Sequence, residues 1–179
     1  QEIAEIISFL LSRLDIKTTP IGAEIIPGLE LYGCYTREEV FTLVGRQTAE
    51  VKMQGAASGA FNLPEHNTVL LFVTLNKSEK DFSPSTQYND YLINENYFHW
   101  QSKNTDSHNN NGGRKYVEQS KTGIKIILFV REEKKDSFGN TSPFHCFGLV
   151  DYVSSHDDFP MNVKWKLQKP AMAQYLKAI

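Results

Sequence analysis

The stretch Thr68–Leu75, TVLLFVTL, is a continuous run of apolar and β-branched residues and predicts a strand. Three more stretches carry β-branched runs or period-two alternation, and they are Ile124–Arg131, Phe144–Val153 and Met161–Leu167. Within the last of these, Val163–Leu167 (VKWKL) alternates apolar and basic residues, as expected for a sheet with one wet face. We expect this strand at an edge or rim of the sheet.

Two helices are predicted before these strands. Apolar residues recur at helical spacing over residues 2–15, which predicts an amphipathic helix. In YTREEVFTLVG, Thr36 is a good N-cap, Glu39 completes a capping box, and Gly45 suits the position after the C-cap. The apolar residues of this second helix are expected to face inward, and they are Val40, Phe41 and Val44.

Two polar segments separate the strands. Asn76–Asn96 has turn chemistry but carries aromatic residues, so we expect an ordered loop with a short helical turn. Lys103–Gly113 (KNTDSHNNNGG) is polar and Gly-rich at its end, which predicts a mobile connection. Few helices and about six strands with long loops indicate an α+β fold, with a curved, barrel-like mixed sheet flanked by helices.

Composition excludes several classes of protein. The 179 residues suffice for one domain, and a net charge of -2 argues against broad, charge-driven adhesion to nucleic acid or to an anionic membrane. Cys34 and Cys146 lack CxxC spacing, so we expect a reducing, cytoplasmic compartment and two buried thiols. No apolar run approaches the roughly 18 residues of a membrane span, so no membrane partner is expected.

Metal and catalytic motifs are weak. The five histidines show no HxxxH or HExxH spacing, so we expect no metal and no cofactor, and SSHDD near His156 is interpreted as a turn. REEKK offers one alternative, because Glu132 with Lys134, or Glu133 with Lys135, supplies half of a carboxylate-metal nuclease site. Asp81 or Asp106 would have to supply the other carboxylate. A charged turn after a buried strand explains REEKK equally well.

The segment FSPSTQYNDYLINENYFHWQS, residues 82–102, mixes six aromatic residues with amides, hydroxyls and two acids. Aromatic rings hold nucleobases by stacking, and a carboxylate can accept a hydrogen bond from the exocyclic amine of cytosine. Tyr88, Asp90 and Tyr91 offer that combination within four residues. The alternative is that Phe98 and Trp100 simply fill the core, and for Phe98 we favour the core.

Five segments carry a family resemblance, and they are LYGCYTREEV, LLFVTLNKSEKDFSPSTQYNDYLIN, FHWQS, ILFVREEKKD and FGLVDYV. Together they resemble the domain that follows the helicase motor in SauUSI-type modification-dependent (type IV) restriction enzymes. Those enzymes carry a phospholipase-D-type nuclease and a superfamily-two helicase. The resemblance covers roughly residues 28–168.

The resemblance implies a fold like the SRA (SET and RING-associated) and PUA modules. Residues 1–20 would then be an N-terminal helix and tether, and residues 21–179 a single modified-DNA-binding domain. ATP hydrolysis and strand scission would belong to the helicase and nuclease domains of the same polypeptide, so this domain would not be an enzyme. It would recognise 5-methylcytosine, and 5-hydroxymethylcytosine as well, in double-stranded DNA by flipping the base into an aromatic and carboxylate pocket.

Side-chain chemistry suggests which residues would form this site. The expected base pocket consists of Tyr35, Ser83, Tyr88, Asp90, Tyr91, Trp100 and Gln101. The expected contacts to the DNA backbone are Arg37, Lys77, Lys80, Arg114 and Lys115. The Lys103–Gly113 loop is expected to enter a groove and fill the gap left by the base. The alternative from another class is a module that docks onto the motor through an apolar stripe of the first helix.

Overall fold

The computed structural model describes residues 19–21, 25–47, 59–77 and 89–176. The predicted helix over residues 2–15 lies outside these described residues, and so do Lys80, Asp81, Ser83 and Tyr88. The division of the chain at residue 20 therefore stays a prediction.

One large mixed sheet dominates the described part of the chain. The strands in chain order are β1 (Thr19–Pro20), β2 (Glu30–Leu31), β3 (Cys34–Tyr35), β4 (Ala60–Leu63), β5 (Thr68–Asn76), β6 (Tyr91–Asn94), β7 (Tyr97–Gln101), β8 (Lys125–Glu133), β9 (Phe144–His156) and β10 (Asn162–Leu167). The strand order of the large sheet is β4-β5-β8-β9-β10-β7-β6, with β3 paired to β9. β5 and β8 run parallel, whereas their other neighbours are antiparallel. β1 and β2 form a separate pair.

Short helices accompany the sheet. They are α1 (Arg37–Leu43), α2 (Asn111–Val117), α3 (Gln119–Thr122) and α4 (Ala173–Leu176), and a 3₁₀ turn covers Pro64–His66. The predicted capping box of α1 is confirmed, because the Thr36 hydroxyl accepts from the Glu39 amide and the Glu39 carboxylate accepts from the Thr36 amide. Gly45 follows the C-cap with a φ of +68°. Val40, Phe41 and Val44 are buried, as predicted.

The centre of the sheet is buried on both faces. The inner cluster includes Val69, Leu71, Phe98, Trp100, Tyr116 and Trp165, and the outer cluster includes Phe41, Leu70, Phe72, Phe129 and Phe144. Alternate residues of β5 therefore enter opposite clusters. This two-sided burial explains why TVLLFVTL is apolar at almost every position rather than at every second one.

The sheet curls without closing. β5 and β6 are five strand spacings apart in the sheet order, which would be about 24 Å if the sheet were flat. Nevertheless Lys77, directly after β5, contacts Asp90, directly before β6, at 2.6 Å between Nζ and Oδ2. The α+β class with a mixed sheet is confirmed, but the described strands form an open sheet and not a closed barrel.

β9 belongs to both halves of the sheet. Its first residues pair with β3 and β8, whereas residues from Val150 to His156 pair with β10. Between the two parts Gly148 has a φ of +81°, and a Cβ at this position would lie 2.8 Å from Leu31 Cδ1. The strand therefore needs glycine at this point.

The predicted edge position of Met161–Leu167 is wrong, because β10 lies between β9 and β7. The second neighbour of β10 comes from the aromatic segment, residues 82–102. This segment forms the β6–β7 hairpin, and its strand β7 pairs with β10. Alternation in VKWKL marks one buried and one wet face, and this pattern is compatible with an interior strand of a sheet that is covered on one side.

The described parts of the two polar segments contain regular structure. Within Asn76–Asn96, Tyr91–Asn94 is strand β6, and residues 78–88 lie outside the described residues, so the helical turn stays a prediction. The Lys103–Gly113 segment has a defined conformation, with a backbone bond from Asp106 to Lys103, and its last residues begin α2. Asn110 caps that helix by accepting from the Gly113 amide. This helix was not predicted from the sequence, because two glycines follow the cap and glycine is a poor helix former.

Of the two thiols predicted to be buried, Cys146 is buried but Cys34 is exposed. Cys34 lies in the short strand β3, where it pairs with His145 of β9. No other described strand pairs with β3.

Candidate nucleic-acid interface

The β6–β7 hairpin brings the candidate groups together. Its turn is closed by the Asn94 carboxamide oxygen, which accepts hydrogen bonds from the amides of Asn96 and Tyr97. Along β7 the side chains alternate, so that Phe98 and Trp100 are buried while the residues between them are partly exposed. The polar face of β7 is therefore available beside β6.

Asp90 lies at the start of this hairpin and is 7% exposed. Its Oδ2 accepts from Lys77 Nζ at 2.6 Å and its Oδ1 from the Gln101 amide at 2.8 Å. Burial raises the pKa of Asp90, and the Lys77 ammonium opposes this shift. A buried carboxylate with two strong donors is a fixed acceptor that holds its neighbours in place.

Tyr91 and His99 form a ring platform on the two strands. Their ring centroids are 4.6 Å apart with an interplanar angle of 15°, and the Tyr91 side chain is exposed. His99 Nδ1 lies 2.8 Å from the Asn89 carbonyl oxygen, so Nδ1 carries the proton and donates. This bond fixes the imidazole plane under the tyrosine ring.

A row of amides and acids continues from the platform, and we call it the polar row. Gln101 Oε1 accepts from the Asn89 amide, and Gln101 Nε2 donates to Asn162 Oδ1 at 2.9 Å. Asn162 Nδ2 in turn donates to Asp157 Oδ2 at 3.0 Å. The groups of this row are hydrogen-bonded to one another, and side chains of these types also bind the edges of nucleobases in other proteins.

The structure assembles only part of the predicted pocket. Asp90, Tyr91 and Gln101 are neighbours, as expected. Trp100 lies in the inner cluster at 4% exposure, with its ring 5.0 Å from that of Tyr116. Tyr35 packs against the outer cluster on the opposite face and holds the chain near Glu30 through its hydroxyl. Roles for these two residues in a base pocket stay predictions.

Four of the five predicted phosphate contacts are engaged in internal contacts, and Lys80 lies outside the described residues. Lys77 is held by Asp90, and the Arg37 guanidinium lies 4.7 Å from the Phe72 ring centroid. Arg114 donates to the Asn109 carbonyl oxygen. Lys115 donates to Asn62 Oδ1 and lies over the Tyr116 ring, where burial lowers its pKa. Binding of phosphate by these cations stays a prediction.

The carboxylates of the alternative nuclease site line a separate cleft of about 320 Å³, formed with residues of β9 and α4. Glu132 and Glu133 are among its lining residues, but Asp106 is not. Within the part of the chain that the structure describes, no three His, Cys, Asp or Glu residues are arranged to hold a metal ion. The geometry thus adds no support for a magnesium-dependent nuclease.

Sequence reasoning missed the partners of the platform and of the polar row. His99 could have been found from the alternation in FHWQS, since it occupies the same face of β7 as Gln101. Asn162 and Asp157 gave no signal, because they join the site only through the pairing of β10 with β7. Within the described residues, no helix has the length and apolar character needed to cross a lipid bilayer.

Residues 29–178 match the family described as a domain of unknown function, DUF3427, and the chain belongs to this family. Among solved structures, the chain is similar to the 5-hydroxymethylcytosine-specific restriction enzyme AbaSI, with a TM-score of 0.41 and 16% sequence identity. The match covers 94% of this chain and 51% of that one, so the chain spans about half the length of the enzyme. No curated protein matches the chain.

Proposed function

We propose that this domain binds double-stranded DNA and recognises 5-methylcytosine, with 5-hydroxymethylcytosine as a second ligand. It would serve as the reader of a type IV restriction enzyme and would itself neither hydrolyse ATP nor cut DNA, since the helicase and the nuclease would lie in other domains of the polypeptide. The observation that carries the proposal is the Tyr91 platform, in which a 43% exposed ring is stacked on His99 beside the buried Asp90 carboxylate.

The platform supplies the stacking surface. A ring that is already held parallel to an imidazole loses little freedom when a flipped base stacks on it, and each such stack contributes about 1–3 kcal/mol.

Asp90 supplies the acceptor for the cytosine amine. A carboxylate has about four lone-pair positions, and Lys77 and the Gln101 amide use two of them. Lys77 and the Gln101 amide hold the carboxylate in one orientation, while Gln101 and Asn162 would supply the other donors and acceptors. Recognition of the methyl group itself contributes only about 0.8 kcal/mol, so a closely fitting pocket must provide the discrimination.

The test is fluorescence anisotropy of the chain with one labelled duplex that carries cytosine, 5-methylcytosine or 5-hydroxymethylcytosine at the same position. We expect tighter binding to the two modified duplexes, and we expect Tyr91→Ala to weaken that binding about 5- to 150-fold by removing the stack. Tyr91 is a better target than Asp90, because the buried Asp90 carboxylate also holds Lys77 and the Gln101 amide, so its truncation would disturb the fold as well as the site.

Ile93→Ala is the matched control, since Ile93 lies two residues further along β6 and is 36% exposed but carries no ring. It should leave the preference for modified duplexes unchanged. Equal binding of all three duplexes at every salt concentration would contradict the proposal and would favour the docking module instead.

A further inference from the structure

A chain of hydrogen bonds joins Ser155, His108 and Asp158, which lie on different segments. His108 Nδ1 is 2.8 Å from Asp158 Oδ1, and His108 Nε2 is 2.7 Å from Ser155 Oγ. The backbone amide of His108 also donates to Asp158 Oδ1, at 2.7 Å. These bonds connect the segment before α2 with the end of β9 and with the β9–β10 turn.

The direction of each bond follows from what each group can donate. A carboxylate only accepts, so Nδ1 of a neutral His108 carries the proton and Nε2 is left as an acceptor. Ser155 must then donate its hydroxyl proton to Nε2. Its Oγ is also 2.7 Å from the Tyr152 hydroxyl, which therefore donates to Ser155. The amide and the ring of His108 lower the pKa of Asp158, so this carboxylate stays charged.

A β-bulge in β9 places the Tyr152 and Ser155 side chains close together. β10 pairs Lys164 with Ser154 but Trp165 with Tyr152, so Val153 is an extra residue without a partner on β10. In a regular strand, residues three apart point to opposite faces. The extra residue turns Tyr152 and Ser155 to the same face, and such bulges commonly redirect side chains next to active sites.

The three groups are accessible from solvent. The side chains of His108 and Asp158 are 32% and 37% exposed, and Ser155 is partly exposed. A small acyl group could therefore reach the Ser155 hydroxyl from solvent.

We propose that Ser155 is a nucleophile towards carboxylic esters, with His108 as its general base and Asp158 as the positioning residue. Ser155 Oγ forms a bond to the carbonyl carbon while its proton passes to His108 Nε2. The bond from that carbon to the alcohol oxygen breaks, and the alcohol leaves with the proton from Nε2. Water then attacks the acyl-serine through the same base, which releases the carboxylic acid and restores the hydroxyl. This activity is independent of DNA recognition.

The test is labelling of the native 179-residue chain with a fluorophosphonate, in which Ser155 Oγ bonds to phosphorus and fluoride leaves with the proton. We expect one added mass on the peptide that contains Ser155, and none on the urea-unfolded chain. His108→Ala should slow labelling at least about 100-fold, since the base is lost. Hydrolysis of p-nitrophenyl acetate should be lost in Ser155→Ala.

Ser154→Ala is the matched control, because it removes a neighbouring exposed hydroxyl from the same strand. It should be labelled and should hydrolyse the ester at the wild-type rate. Absence of a label on Ser155 in the native chain, or labelling at an unchanged rate in His108→Ala, would overturn the proposal and leave the three residues as a structural anchor.

Discussion

At the scale of single residues, one aromatic ring holds the guanidinium groups of two arginines. Arg37 and Arg131 both lie over the Phe144 ring, with centroid distances of 5.4 and 4.2 Å, and Arg131 also donates to Thr74 and to the Ser142 carbonyl. Cations of this kind are held by aromatic faces and by internal acceptors. They stabilise the fold around Phe144.

The two cysteines should differ sharply in reactivity. Burial raises the pKa of the Cys146 thiol to about 12, whereas Cys34 is exposed. Because the thiolate is the reacting form, we expect Ellman's reagent to titrate one thiol in the native protein and two in denaturant. Cys34→Ser should remove the native reaction. Equal rates for both thiols in the native protein would show that this part of the outer cluster opens readily.

At the scale of elements, the hairpin between β8 and β9 has a turn held by one carboxylate. Asp136 Oδ1 accepts from the amides of Asn140 and Phe138, at 2.8 and 2.9 Å. These bonds present the Phe138 ring, which is 89% exposed, at the tip of the hairpin.

This turn should depend on pH. The bonds from Asn140 and Phe138 lower the pKa of Asp136, so its stabilising effect is present above the unfolded-state pKa and is lost as the pH falls through the lowered folded-state value. We expect the amide resonances of Asn140 and Phe138 to shift together during an acid titration followed by NMR. In Asp136→Asn these shifts should be absent, and a persistent titration there would assign the effect to another group.

Local signals predicted some elements and not others. β5 and α1 were predictable because an apolar run and a capping box are contained within a few residues. The place of β10 was not, since it depends on Asn162 pairing with Gln101, 61 residues away. For the same reason the sequence could group Asp90 with Tyr91, which are adjacent in the chain, but could not show that Tyr35 packs against the outer cluster.

At the scale of the whole molecule, the Lys77–Asp90 pair ties β5 to β6 across the curl of the sheet. Both side chains are nearly buried, at 8% and 4% exposure, so removal of Asp90 takes away the carboxylate that offsets a charge in the interior. We expect Asp90→Ala to lower the free energy of unfolding by about 3–5 kcal/mol. Urea denaturation measures this change.

The matched variant is the double substitution Lys77→Met with Asp90→Leu. It removes both charges and keeps apolar volume, so its stability should return to near that of the wild type or exceed it. A double variant as unstable as Asp90→Ala would show that the hydrogen bond to the Gln101 amide, and not the charge balance, carries the stability.

The shared strand β9 also limits how this domain can be passed between proteins. Its first residues complete the ladder with β3 and β8, and its last residues complete the ladder with β10. A recombination breakpoint on either side of Gly148 would deprive one half of its central strand. The domain is therefore expected to be inherited as an indivisible cassette, gained or lost whole when larger proteins are rearranged.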